Sequence, residues 1–476
     1  MFEEQCKLIQ INNNAKQLRI YISVLLYLNE QLSTLKIFEF YIKKLGGKFM
    51  QIHTVKRNDS LWNLAQQYGV PLQHIVEVNG IEQTDPLVVG QSLIIPSPSG
   101  NKTHKVARGE SLWSIARQYG LNLQEVAAAN QLSNPANIKP GQIIIIPAPK
   151  LTTIEVNGYM ERTDTQAVAE IVKHSNELTY VTMFSYKITN EGTLIEMDDE
   201  SLREAALNNS VAPMMAITNI EDAGFSSDLI HEVLNNQQTY THLITTVANT
   251  MTERGFKALN IDFEYIPPED HELYNNFLRD ITQHLHQYGY LVSTAVAPKY
   301  NADQQGILYE SHDYRAHGEI VDFVIIMTYE WGWTGGPPRA VAPLNEVAKV
   351  INYAITEIPP EKIMMGIPLY GYHWTLPFVE GESRAAALST AAAISLARER
   401  KAAIEYDNTA QSPHFSFYDT EHKQHIVWFE DARSLQAKFN LVKQYGLRGV
   451  SYWKLGIEAD TNWYLLSENF SVKKLV

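Results

Sequence analysis

From residue 151 onward the chain alternates short apolar segments with helical stretches, and this alternation restricts the fold more than any other feature. The apolar segments are Ile154–Tyr159, Tyr180–Ile188, Ala212–Thr218, Ala258–Phe263, Leu291–Ala297, Val321–Tyr329, Ile363–Leu369 and Gly449–Trp453. Helical stretches such as Asp198–Asn208, Ser226–Asn235, Gln238–Arg254 and Asp270–Tyr288 lie between them. Eight strand–helix units predict an α/β fold, a (β/α)8 TIM barrel. The connection between strands seven and eight is long, roughly Tyr372–Phe429. It carries an Ala-rich helical segment, Ala385–Arg400, then Phe415–Tyr418 and Ile426–Phe429, which read as a hairpin. This predicts an α+β insertion walling one side of a cleft. Active sites of such barrels lie at the C-terminal ends of the strands. Glu264, Tyr329, Tyr370 and Trp453 occupy such ends on strands four, six, seven and eight.

Strand four carries the chemistry. Side chains two apart on a strand share a face, so Asn260, Asp262 and Glu264 form one row and Leu259, Ile261 and Phe263 the other. Two carboxylates in an apolar strand are costly unless used or paired. Pairing of Asp262 with Lys257 is disfavoured, because the odd position puts Lys257 on the opposite face. The expected roles are Glu264 as a catalytic acid and Asp262 as its helper.

The bulk numbers bound the alternatives. A chain of 476 residues exceeds one small core and implies two or three domains. Hydrophobic content of 45% and charged content of 19% fit a globular protein. A net charge of −14 argues against nucleic acid as a partner. No stretch approaches the roughly 20 apolar residues that span a bilayer. One cysteine, Cys6, excludes a disulfide framework. Neither H-E-x-x-H nor a His/Asp cluster is present, so no metal and no cofactor is expected. Gly335-Gly336-Pro337-Pro338 lacks the strand–helix setting of a phosphate loop.

Residues 51–148 repeat with an offset of 51. His53 matches His104, Ser60-Leu61-Trp62 matches Ser111-Leu112-Trp113, and Tyr68-Gly69 matches Tyr119-Gly120. Asn79 matches Asn130, and Gly90-Gln91 matches Gly141-Gln142. Leu61, Leu64, Ala65 and Tyr68, like Leu112, Ile115, Ala116 and Tyr119, fall at helical spacing. Each copy reads as strand, helix, helix, strand, with Gly69 and Gly120 as helix caps. Both tryptophans are expected in the core. This βααβ unit resembles the LysM module over 51–97 and 102–148. The resemblance implies binding of N-acetylglucosamine-containing glycans between two loops. It assigns that role to Asn58, Asp59, Ser60 and Gly90 with Val88 and Val89 in the first copy. In the second copy it assigns Gly109, Glu110, Ser111 and Gly141, with Ile138, Lys139 and Pro140. Ser97-Pro98-Ser99-Gly100 and Ala148-Pro149-Lys150 read as linkers.

The barrel domain, residues 151–476, resembles glycoside hydrolase family 18, the resemblance covering roughly residues 151–470. The family pattern D-x-x-D-x-D-x-E falls on Lys257, Asn260, Asp262 and Glu264, so its two last carboxylates match and its two first do not. The strand-six pattern M-x-Y-D appears as Met327-Thr328-Tyr329-Glu330. The strand-three turn S-x-G-G is not recognisable in Ala216-Ile217-Thr218-Asn219. The resemblance implies a mechanism in which the substrate's 2-acetamido group is the nucleophile. Glu264 is then acid and base, Asp262 orients the acetamide, and Tyr329 donates to its oxygen. Trp453 packs on the sugar. Tyr159, Tyr186, Trp331, Trp333 and Trp374 are candidate subsite aromatics. Glu330 is either a substrate contact or a rim ion pair, and Asn260 tunes Asp262.

Two such modules before such a barrel resemble the spore-cortex-lytic group of the family, as do Phe184-Ser185-Tyr186, Glu191-Gly192-Thr193-Leu194 and Met327–Gly332. That implies an N-acetylglucosaminidase of cortex peptidoglycan, acting as a monomer in the spore coat and cortex. The alternatives are a chitinase and a non-catalytic glycan-binding coat protein. No cleavable signal peptide is evident. Gly46-Gly47 shortly before Met50 suits a translated ribosome-binding sequence, so Met50 is the expected natural start and residues 1–49 upstream DNA; the alternative is a helical extension.

Overall fold

The structure, a computed structural model, describes residues 50–96, 102–119, 121–132, 134–147, 151–457 and 460–476. The upstream segment, both linkers and the Gly120 cap lie outside the described residues.

Eight parallel strands run Thr152–Met160, Tyr180–Ile188, Ala212–Thr218, Ala258–Asp262, Leu291–Val296, Phe323–Ile326, Ile363–Pro368 and Gly449–Trp453. Each pairs with its sequence neighbour, and strand one pairs with both two and eight, which closes the barrel. Closure leaves no barrel edge for another chain to pair with. Phe470–Val472 adds outside the ring beside the start of strand one. Side chains alternate in and out along the strands. Tyr159, Tyr180, Ala212, Met214, Ala258, Phe323, Ile325 and Met364 fill the interior. Met215, Ile217, Leu259, Ile261 and Phe263 face the helical layer. Strand six stops at Ile326, earlier than its apolar run suggests. Thr328 N–H bonds to Ile326 O and Tyr329 N–H to Met327 O, so the chain turns tightly there and releases Tyr329 into the cleft.

The insertion begins at the end of strand seven. It is a five-stranded antiparallel sheet ordered Ala386–Ser389, Tyr370–Thr375, Gln424–Trp428, Ser412–Tyr418 and Glu405–Asp407. The predicted helix Ala385–Arg400 is shorter, Thr390–Glu399, because Ala386–Ser389 pairs with Tyr370–His373 as a strand. Ser389 then caps the helix, its side chain accepting from Ala392 N–H.

The first βααβ module, with strands Gln51–Thr54 and Ser92–Ile95 and helices Leu61–Tyr68 and Leu72–Asn79, belongs to the same compact unit as the barrel and insertion. Its Ile94 joins the main core. Val88 joins the core under the insertion with Ala393, Ala397, Ile404, Phe415 and Phe429. The second module forms a unit of its own, with strands Lys102–Lys105 and Ile143–Ile146 and helices Leu112–Gln118 and Leu123–Ala129.

The duplication extends to the hydrogen bonds. His53 bonds Asp59 at 2.8 Å and Tyr68 at 2.9 Å, and His104 bonds Glu110 at 2.7 Å and Tyr119 at 3.1 Å. The Asn79 amide ties the second helix to the last strand through Ile75 O and both backbone groups of Ile94. Asn130 does the same with Val126 and Ile145. The two tryptophans are not in the core: Trp62 is 65% exposed and Trp113 is 56% exposed. Leu61, Leu64 and Ala65 point inward. At roughly 100° per residue, Trp62 sits a quarter turn off that face, and the same register holds for Trp113.

Candidate active site

Asn260, Asp262 and Glu264 do share the inward row of strand four, at its C-terminal mouth. Asn260 is wholly buried and Asp262 nearly so, whereas Glu264 is half-buried. The backbone that aims Glu264 is held from two sides. Asn219 accepts from Glu264 N–H at 3.0 Å and donates to Glu264 O at 2.9 Å; it also donates to Ser226 O. His312 bonds the Phe263 carbonyl at 3.0 Å. Its other nitrogen accepts from Ala297 N–H, which fixes the Nε2–H tautomer, and burial lowers its pKa to about 4. It therefore stays a neutral donor.

Asn260 is fully used. Tyr159 donates its hydroxyl to Asn260 Oδ1 at 2.9 Å, and Asn260 Nδ2 donates to Ser293 Oγ at 3.0 Å. Asp262 Oδ1 is buried with no hydrogen-bond partner among the described residues. Burial raises the Asp262 pKa. Burial and then the charge of Asp262 raise that of Glu264, which favours a protonated Glu264 near neutrality. Tyr329 is also raised, by burial and then by Asp262 and Glu264, so its hydroxyl remains a donor beside both acids. Room for its ring comes from Gly366, where a Cβ would lie 2.8 Å from Tyr329 Cε1.

The floor is an aromatic trio. Trp453 lies 5.3 Å from Tyr159 and 4.9 Å from Phe184, ring to ring, and Tyr159 lies 5.8 Å from Phe184. Phe184 takes the place expected for Tyr186, which is not in the cleft. Plain alternation from Tyr180 would turn Tyr186 inward, but a bulge between Met183 and Tyr186 shifts the register and reverses its face. Tyr186 instead donates to Asp199 at 2.7 Å in the helical layer, under the Arg254 guanidinium.

At the rim, Glu330 sits at φ +66°, and its carboxylate accepts from the Tyr370 and Tyr372 hydroxyls. Its partners are phenols, so of the two alternatives for Glu330 the rim ion pair is not found among the described residues. Half-buried Met327 leads into this corner. Trp331 donates its indole N–H to Tyr300 OH at 2.7 Å and its backbone N–H to Val341 O at 3.0 Å. Trp374 does not line a subsite. It is 1% exposed, donates to Gly336 O, and joins the insertion to the barrel rim. Trp333 is 48% exposed over Gly335 and Gly336.

In the modules, several residues expected at the glycan have internal partners. Asp59 accepts from Lys56 N–H and Glu110 from Ala107 N–H, besides their histidines. Ser60 and Ser111 cap the helices that follow. Asn58 and Gly109 are the left-handed residues of the preceding turns, at φ +71° and +92°. Gly90 is buried and Gly141 exposed.

A proton donor kept protonated, a neighbouring carboxylate, a phenol and an aromatic floor at a barrel mouth are the parts of a glycosidase. The sequence pattern of glycosyl hydrolases family 18 matches residues 155–458, and that of the LysM domain matches 53–96 and 104–147. The chain belongs to glycosyl hydrolase family 18. This family 18 glycosidase is 45% identical over 429 residues to the cortical fragment-lytic enzyme of Bacillus subtilis strain 168, covering 89% of this chain and 99% of that one. It is similar to the crystal structure of the Bacillus cereus spore cortex-lytic enzyme SleL, at 41% identity and TM-score 0.77, covering 90% and 99% of the two chains. The Bacillus megaterium QM B1551 SleL structure matches at 40% identity and TM-score 0.79, covering 90% and 100%. The LysM pair makes the chain a peptidoglycan- or glycan-binding protein. Among the described residues, no helix is long and apolar enough to cross a membrane.

Proposed function

We propose that this glycosidase cleaves N-acetylglucosaminyl bonds in spore-cortex peptidoglycan fragments during germination, with the substrate's acetamide as nucleophile. One observation carries the choice of substrate. The likeness to the B. subtilis cortical fragment-lytic enzyme runs over modules and barrel alike, 99% of that protein's length. The likeness to the Chromobacterium violaceum chitinase structure covers 67% of this chain at 25% identity.

The reaction follows from the row on strand four. Glu264 gives its proton to the glycosidic oxygen as the acetamide oxygen attacks C1 and the C1–O bond breaks. Asp262 accepts from the acetamide N–H and balances the oxazolinium charge; its unpartnered Oδ1 suits that task. Tyr329 donates to the acetamide oxygen, and Trp453 packs under the sugar. Glu264 then takes a proton from the water that opens the ring at C1. Incubation with cortex fragments and with chitin oligomers, with products analysed by mass, tests the reading. Release from cortex fragments is expected, abolished by Glu264→Gln with binding to insoluble peptidoglycan intact. Release from chitin alone would overturn the cortex assignment, and release from neither would overturn the enzyme.

A further inference from the structure

The two modules are copies, yet the structure treats the same loop in each oppositely. The loop before the last strand turns at Gly90 in the first copy and Gly141 in the second, at φ +86° and +88°. Each turn is closed by the same bonds: Gly90 N–H to Val55 O and Gly141 N–H to Val106 O, both 2.8 Å. Gln91 Oε1 accepts from Val88 N–H as Gln142 Oε1 accepts from Lys139 N–H. The backbone is therefore one shape in two surroundings.

In the first copy the loop is taken by the catalytic unit. A Cβ on Gly90 would lie 1.7 Å from the Ile404 carbonyl oxygen. Three loop carbonyls are bound: Pro86 O by Arg398 at 2.9 Å, Val89 O by Ile404 N–H at 2.9 Å, and Gly90 O by Arg433 at 3.0 Å. Val88 is 6% exposed in the insertion core. In the second copy a Cβ on Gly141 would meet nothing within 4 Å among the described residues. Val88 is replaced there by exposed Lys139, and Val89 by exposed Pro140. An N-acetylated sugar is held by amide and hydroxyl hydrogen bonds, for which turn carbonyls are natural partners. Those of the first copy are already occupied.

We propose that retention on the glycan polymer is carried by the loop face of the second module, residues 138–141, and that the first module has given up that face to brace the insertion. The proposal rests on the peptidoglycan-binding reading of the LysM pair. The two glycines cannot separate the copies, since any side chain there is strained. The matched positions Val89 and Pro140 can, being exposed in both copies.

The test is retention of the full chain on insoluble peptidoglycan. Pro140→Glu is expected to weaken it at least fivefold, and Val89→Glu to stay within twofold of the parent. Lys139→Glu, a change at an exposed side chain, is expected to weaken retention as well, and stands in should Pro140→Glu unfold its module. Equal loss in Val89→Glu and Pro140→Glu, or parental retention of both second-module variants, would overturn the assignment while leaving glycan binding standing. A parent chain that is not retained at all would overturn the binding reading and this assignment with it.

Discussion

Asn219 offers the sharpest test of how the acid is positioned. It lies just past strand three and makes three hydrogen bonds through one amide, two of them to the backbone of Glu264. Asn219→Ala leaves the N–H and carbonyl of Glu264 without that partner. Each buried polar group so stranded costs about 1–3 kcal/mol. Part of that cost is relieved by water from the cleft, which leaves about 2–3 kcal/mol for the pair. Expressed as lost positioning of the proton donor, at about 1.4 kcal/mol per tenfold, the expected fall in kcat is about 30–140-fold. KM should change little, because Asn219 is argued to act through Glu264 rather than on the sugar. The assay is steady-state hydrolysis of a soluble fluorogenic N-acetylglucosamine oligomer across pH. The basic limb of the profile should stay in place, since neither burial of Glu264 nor the charge of Asp262 is removed. A kcat within twofold of the parent, or a loss confined to KM, would refute the reasoning.

Other consequences follow from burial and charge. Asp262→Asn removes the like charge that helps raise Glu264, so any residual activity should lose its basic limb at lower pH than the parent. The same variant should unfold at higher temperature than the parent at neutral and mildly alkaline pH, by calorimetry. A carboxyl whose pKa is raised on folding contributes stability that is complete below the ordinary carboxylate range and lost as pH rises through the raised value. Val88→Lys should lower the thermal midpoint of the catalytic unit, with about 1.5–3 kcal/mol of apolar burial removed. Trp62→Ala should change stability by no more than about 0.5 kcal/mol in denaturant titration, because its ring is largely in solvent.

Much of this molecule is legible in its sequence, and the exceptions share a cause. The barrel strands stand out because runs such as Phe323–Ile326 are apolar on both faces and are bounded by helices. The acid row is legible because alternation fixes which residues meet. Tyr186 is misplaced by the same rule, since one bulge reverses the parity and composition does not announce a bulge. The Ala-rich stretch before Thr390 reads as helix by propensity, yet pairing with Tyr370–His373 makes Ala386–Ser389 a strand. Trp374 reads as a cleft aromatic until the insertion sheet covers it. Asn219 carries no signal of its own, because its strand-three turn lacks the family's glycines and its role exists only across two strands. The docking of the first module is tertiary as well. Its sole trace in sequence is Val88 where the sister copy has Lys139.

The central claim is that the nucleophile belongs to the substrate and that the protein supplies Glu264 to move protons and Asp262 to hold the acetamide. Proton NMR of the reducing sugar released in the first minutes from a β-linked N-acetylglucosaminyl substrate tests it directly. Two displacements at C1 should give the β anomer first, with the α anomer growing in only by mutarotation. An α anomer at first detection would mean a single attack by water and would contradict the account.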